Sequence, residues 1–227
     1  MRKIAVVFPG VGYTKDRPLL YYSGKIAKSY GYELVYPDFT GLQWSKEELK
    51  DHSRLVELLK EGLTRTEAAL SDYDITSEDN ILFLSKSIGT VVATAYARKK
   101  GIVVKQILFT PLEYISNFIE KGNGLVFYGD HDPYAKPDDI IRIGRTYQLE
   151  MHCIKGANHS LEAGDVLHNI DELKKVMQRV DEEIKAVSDK NSENQSERKL
   201  PNLSISDNSE TKHCVDNMAC DMHGYKI

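Results

Sequence analysis

Asn80-Ile81-Leu82-Phe83-Leu84-Ser85-Lys86-Ser87-Ile88-Gly89, followed by Thr90-Val91-Val92-Ala93-Thr94-Ala95-Tyr96-Ala97, is the stretch on which the reading of this chain turns. A short apolar run meets an S-x-S-x-G step and then a longer stretch of helix-compatible residues. That succession reads as strand, sharp turn and helix, the context of a nucleophile elbow. Such a turn is so tight that the positions two before and two after its central serine must be small, and here they are Ser85 and Gly89. Ser87 then stands at the carboxyl end of the strand, over a helix N-terminus. The amide of Ile88 aims at the same point and can stabilise an oxyanion. Ser85 competes poorly for the role, because two residues after it comes Ser87 rather than glycine. Serine is also a favoured helix cap, so the motif is weighed with what lies on either side of it.

Outward from this stretch, short apolar runs alternate with longer amphipathic ones. Strand-like runs are Ile4–Phe8, Glu33–Tyr36, Ile81–Leu84, Val104–Phe109, Leu125–Tyr128 and Tyr147–Ile154. Helical stretches fall at roughly 18–30, 46–70, 88–100, 112–121, 137–144 and 163–187. In the last of these, Ile170, Leu173, Val176, Met177, Val180, Ile184 and Val187 step by three and four along one face. The alternation predicts an α/β fold, a three-layer α/β/α sandwich around a mostly parallel sheet of about six strands. Tyr147–Ile154 alternates in polarity, which suits an edge strand.

In open parallel sheets, sites form at the carboxyl ends of the strands. The segments there are Pro9-Gly10-Val11-Gly12-Tyr13, Pro37-Asp38-Phe39, Ser85-Lys86-Ser87, Thr110-Pro111-Leu112, Gly129-Asp130-His131-Asp132-Pro133 and Lys155-Gly156-Ala157-Asn158-His159. Serine, aspartate and histidine therefore occur in that order at strand ends. Of seven histidines, His159 alone sits in a loop just past the last strand. His52 and His168 fall in helical stretches, His152 in a strand, His131 in the aspartate turn, and His213 and His223 near the C-terminus.

The chain has 227 residues and a net charge of −4, with an isoelectric point near 6.0. That length suffices for one sizeable core. The charge argues against nucleic-acid partners, and no run approaches the roughly 18 apolar residues of a membrane span. The N-terminal Ile4–Phe8 run is too short for a signal peptide. Three cysteines (Cys153, Cys214, Cys220) make no disulfide framework, so a cytoplasmic protein is expected. From Ser188 the composition turns polar and aperiodic, predicting a domain over 1–187 and a disordered tail over 188–227. The tail's His213, Cys214, Cys220 and His223 have spacing unlike a structural zinc site, and no metal is expected. Gly10-x-Gly12 after the first strand could open a dinucleotide fingerprint, but its third glycine would fall on Lys15, so no NAD and no other cofactor is expected.

With elbow, aspartate turn and histidine loop in this order, residues 1–187 resemble the α/β-hydrolases, and among them a compact, lidless serine hydrolase. Gly129-Asp130-His131-Asp132-Pro133 is similar to the family's G-x-x-D-P, and Gly156-Ala157-Asn158-His159-Ser160 is similar to its histidine loop. The resemblance implies Ser87 as nucleophile, His159 as its base, and Asp132 rather than Asp130 as the acid that orients the imidazole. It also implies two oxyanion donors, the backbone amides of Ile88 and Val11. The family often has His-Gly at the latter loop, where this chain has Pro9-Gly10. Too few residues separate Phe109 from Leu125 for a lid, so an open site walled by Tyr13, Phe39, Leu112 and Tyr114 is expected. Thirteen tyrosines read as ordinary packing rather than as a sign of an aromatic substrate. The implied activity is cleavage of a carboxylic ester or related small acyl compound through an acyl-enzyme. A peptidase or thioesterase on the same residues, or a non-catalytic binder of this fold, remain the alternatives.

Overall fold

A computed structural model describes residues 2–42, 48, 51–73, 75 and 80–198. The tail histidines and cysteines lie outside these residues, as do most of 43–50, where the second helix was expected to begin. The elements are β1 (Lys3–Phe8), α1 (Pro18–Ser29), β2 (Glu33–Val35), α2 (His52–Ala69), β3 (Asn80–Lys86), α3 (Ile88–Lys100), β4 (Lys105–Phe109), a 3₁₀ turn (Glu113–Asn117), β5 (Gly124–Gly129), α4 (Pro137–Thr146), β6 (Glu150–Ile154) and α5 (Val166–Arg198).

The six strands form one sheet in the order β2-β1-β3-β4-β5-β6, and every neighbouring pair is parallel. β3 and β5 are buried at every position, as strands covered on both faces should be. The edge strands β2 and β6 are partly exposed. On one face, α2, α3 and α4 bury Leu58, Val92 and Ile143 against Val6, Phe83 and Val126. On the other, α1 and α5 bury Leu20, Val180 and Ile184 against Val7, Leu84 and Phe127. The α/β/α sandwich is thus observed, with a fully parallel sheet.

Local chemistry sets the helix starts. Pro18 and Pro137 open α1 and α4, where proline's missing N–H costs nothing. Asp51 accepts from the Ser53 and Arg54 amides at the start of α2. Asp165 does the same for Leu167 and His168 at the start of α5, so that helix begins after the cap rather than at residue 163. Several expected elements change length, two helical ones most. The stretch at 112–121 is only a 3₁₀ turn, confined between the positive φ of Thr110 and that of Gly122. α5 continues as helix past residue 187 to Arg198, and buried Ser188 accepts a hydrogen bond from Lys3 Nζ at 2.6 Å. Among the described residues no helix is long and apolar enough to cross a membrane.

The chain leaves β1 for β2, then crosses to the other side of β1 for β3. This reversal opens a crevice at the carboxyl ends of β1 and β3. The loop after β1 and the turn after β3 meet there.

Candidate active site

Ser87 sits between β3 and α3 with φ 56° and ψ −126°, a region that non-glycine residues rarely occupy. The fold enforces it from both sides. The Ser87 amide donates to Phe109 O at 3.0 Å, and Thr90 Oγ1 donates to Ser87 O at 2.5 Å. A methyl group on Gly89 would stand 2.5 Å from Pro9 O, so glycine is required there by close approach of the β1 loop. Ser85 is fully buried and its hydroxyl donates to Ile107 O at 3.3 Å, which removes it from the crevice.

His159 Nε2 lies 2.8 Å from Ser87 Oγ, and His159 Nδ1 lies 2.7 Å from Asp132 Oδ2. An ionised carboxylate only accepts, so Nδ1–H donates to Asp132 and Nε2 is left to accept the Ser87 proton. Asp132 Oδ1 in turn accepts from the Tyr134 amide at 2.8 Å and the Ala135 amide at 3.4 Å, which fixes the carboxylate. Burial pulls the His159 imidazole below its ordinary pKa; the Asp132 hydrogen bond opposes that shift and the Lys86 charge adds to it. The ring is therefore a free base at neutral pH.

Asp130 has a different place. It accepts from the Gly156 amide at 2.6 Å and lies 3.4 Å from Lys155 Nζ, tying the aspartate turn to the histidine loop. The two loops are pressed together so closely that a methyl group on Gly129 would fall 2.1 Å from Ala157 O. Thr110 Oγ1 donates to His159 O at 3.1 Å and the Tyr134 ring centroid lies 4.7 Å from that of His159. Neither contact has a sequence signature, since each depends on loops meeting across the sheet.

Beside Ser87 lies a cavity of about 470 Å³ lined by the loops after β1 and β2 and by Ile88. Val11 and Phe39 line it. Ile88 is the first residue of α3, so its N–H has no acceptor within the helix. Gly10 brings the β1 loop against Ser87: a methyl group there would stand 3.1 Å from Ser87 Cβ. Three of the four expected wall residues lie elsewhere. Leu112 is buried in the core, and Tyr114 packs against that same core. Tyr13 turns its ring under the β1 loop, where its hydroxyl accepts from the Leu19 amide at 3.1 Å. Among the described residues no cluster of histidine, cysteine, aspartate or glutamate could hold a metal.

No family model matches the sequence, and no curated relative does. Solved structures do match. Est1E from Butyrivibrio proteoclasticus superimposes with a TM-score of 0.60 over 82% of this chain and 88% of its own, at 14% identity. A lidless α/β serine hydrolase from Xanthomonas campestris gives 0.56 over 81% of both chains, at 13% identity. An esterase from Pyrococcus furiosus gives 0.56 over 81% of this chain and 82% of its own, at 14% identity. The fold is that of the α/β-hydrolases. Within the α/β-hydrolase fold, the topology carries Ser87, Asp132 and His159 on the turns after β3, β5 and β6, so three loops from one sheet edge build the site.

Proposed function

We propose that this protein is a serine hydrolase that cleaves a carboxylic ester or related acyl compound at Ser87. The observation that carries the reading is the unbroken hydrogen-bond chain from Ser87 Oγ through the His159 ring to Asp132. A serine hydroxyl is barely ionised at neutral pH and needs a base in contact, and a buried imidazole held below its ordinary pKa is such a base. Ser87 Oγ attacks the acyl carbon while His159 Nε2 takes its proton, then returns that proton to the departing alcohol. Water repeats the step on the acyl-enzyme and frees Ser87. Asp132 keeps Nδ1 protonated and stabilises the imidazolium. The amides of Ile88 and Val11 serve the oxyanion, and the adjoining cavity receives part of the substrate. The site needs no metal or organic cofactor for these steps.

A fluorophosphonate probe read by mass spectrometry tests the assignment, together with release of p-nitrophenol from short-chain esters. Modification of Ser87 that disappears in Ser87→Ala, accompanied by ester turnover, is the expected result. A folded wild type that neither labels nor turns over esters would overturn the reading in favour of a binding protein. Labelling with turnover only of thioesters or peptides would retain Ser87 and replace the substrate class.

A further inference from the structure

Lys86 ends a fully buried strand and is only 1% exposed. Among the described residues no carboxylate is hydrogen-bonded to it, and burial outweighs the attraction of the Asp132 carboxylate. Side chains alternate along β3, so Lys86 shares a face with Leu82 and Leu84. That face also carries Tyr13, Phe109, Ala157 and Leu161, so the loop bearing His159 crosses directly over it. The Lys86 stem runs beneath Gly10, where an added methyl group would lie 3.5 Å from Lys86 Cγ. Its ammonium lies 5.1 Å from the centroid of the Tyr13 ring, an attractive placement for a cation. Tyr13 and Gly10 close the β1 turn through paired main-chain hydrogen bonds of 3.0 and 3.4 Å. Lys86 thus lies against the turn that presents Val11, and its charge acts on the Asp132–His159 pair.

We infer that Lys86 is a positioning residue for the Ser87 site: its stem braces the Gly10–Tyr13 turn, and its buried ammonium, held over the Tyr13 ring, governs where the His159 proton resides. The titratable groups that interact with it are Tyr13 from the β1 loop, Asp132 from the loop after β5 and His159 from the loop after β6. Tyr13, which Glu162 and Arg17 face in turn, is pushed up to about 12 by burial, so its phenol stays neutral and cannot neutralise the lysine. Burial also pushes the Lys86 ammonium down to about 7. Below neutrality, where His159 titrates, Lys86 is charged and disfavours the imidazolium. As pH rises past neutrality Lys86 discharges and that repulsion is lost. The two groups titrate as a coupled pair.

The test is an NMR titration of the His159 imidazole in the full chain, comparing wild type with Lys86→Met, which keeps the length of the stem and removes the charge. The His159 midpoint should rise by about half a unit to one unit, and the acid limb of fluorophosphonate labelling at Ser87 should move up with it. Lys86→Arg, charged at every working pH, should leave the midpoint at or below that of wild type. An unmoved midpoint in folded Lys86→Met overturns the inference. Should that variant not fold, the wild-type curve decides. Coupling requires an imidazole titration broader than one proton, with a second inflection where Lys86 discharges, and a simple one-proton curve overturns it. The labelling arm rests on the proposed function, whereas the NMR arm does not. A shifted His159 without labelling at any pH would sink the hydrolase reading and leave the Lys86 coupling standing.

Discussion

Among the described residues two histidines lie 2.7 Å from a carboxylate, His159 from Asp132 and His152 from Glu150. By distance they are the same pair. By environment they are opposites. The side chains of His159 and Asp132 are 17% and 3% exposed, whereas those of His152 and Glu150 are 36% and 43% exposed. His159 spends its second nitrogen on Ser87. His152 stacks on Phe127 with centroids 5.3 Å apart, and its carboxylate is shared with Arg179 on α5 through two contacts of 2.7 Å. The first pair sits at the carboxyl edge of the sheet among strained backbone, with positive φ at Ser87, Thr110 and Leu161. The second fastens edge strand β6 to α5. A histidine beside a carboxylate is therefore not a site. Burial and a third partner at the far ring nitrogen distinguish the two.

The widest gap between the pairs should appear on deletion. Ser87→Ala and His159→Ala should each lower ester hydrolysis by about 10⁴-fold or more, while His152→Ala should leave the rate within about twofold of wild type. Purified variants assayed side by side decide it, and an equal loss in His152→Ala would erase the contrast. Next in size is the division between the two aspartates of the turn after β5. Asp132→Asn preserves shape but favours the wrong imidazole tautomer, so a loss of about 10³–10⁴-fold in kcat is expected. Asp130→Ala removes the tie to Gly156 and should lower the melting temperature while costing little in rate. The reverse pattern would transfer the acid role to Asp130.

The pH profile sharpens the comparison further. As the proposed base His159 must be neutral to accept the Ser87 proton, and its folded pKa lies below the ordinary histidine value because burial penalises the imidazolium. Activity should therefore be retained at neutral pH and be lost as pH falls through a value below the ordinary histidine pKa. A kcat/KM profile with its acid limb centred above about pH 7 would contradict a buried base.

Much of this architecture was legible in the sequence because hydrophobic burial is written in runs. The β3 run and the alternating runs around it announce a parallel sheet, and loops that end such strands announce where polar groups gather. Ser87, Asp132 and His159 follow β3, β5 and β6 in that manner, and the hydrogen bonds joining them needed only the sheet order. What stayed hidden depends on loops meeting in space. Lys86 reads as the variable residue of a turn, yet it is among the most buried side chains. Tyr134 covers His159 only because the turn after β5 folds back, and Thr110 reaches His159 O across two loops. Leu112 and Tyr114 follow a strand end as Phe39 does, but Leu112 is buried in the core and Tyr114 packs against it instead of lining the cavity. Strand position identifies candidates; loop geometry decides which of them face the crevice.

The smallest expected effect belongs to the outer pair. Arg179 holds the Glu150 carboxyl down to about 2, with His152 contributing. The ordinary carboxyl value is 4.5, so the folded value is depressed, and the pair's stabilisation is complete above about pH 4.5 and disappears as pH falls toward 2. Glu150 is too exposed for that shift to count in full, and Arg179 keeps Glu183 as a second partner. The loss in Glu150→Gln should therefore be under about 1 kcal/mol at pH 7, which at this chain length lowers the melting temperature by about 2–4 °C. Thermal melts of wild type and variant at pH 7, 4 and 2.5 should show that difference shrinking with acid, while ester turnover at pH 7 stays unchanged. A difference that persists undiminished at pH 2.5 would mean that the variant acts through packing of β6 against α5 rather than through charge. A fall in turnover would mean that the outer histidine pair reaches the site after all, and the contrast between the two pairs would have to be redrawn.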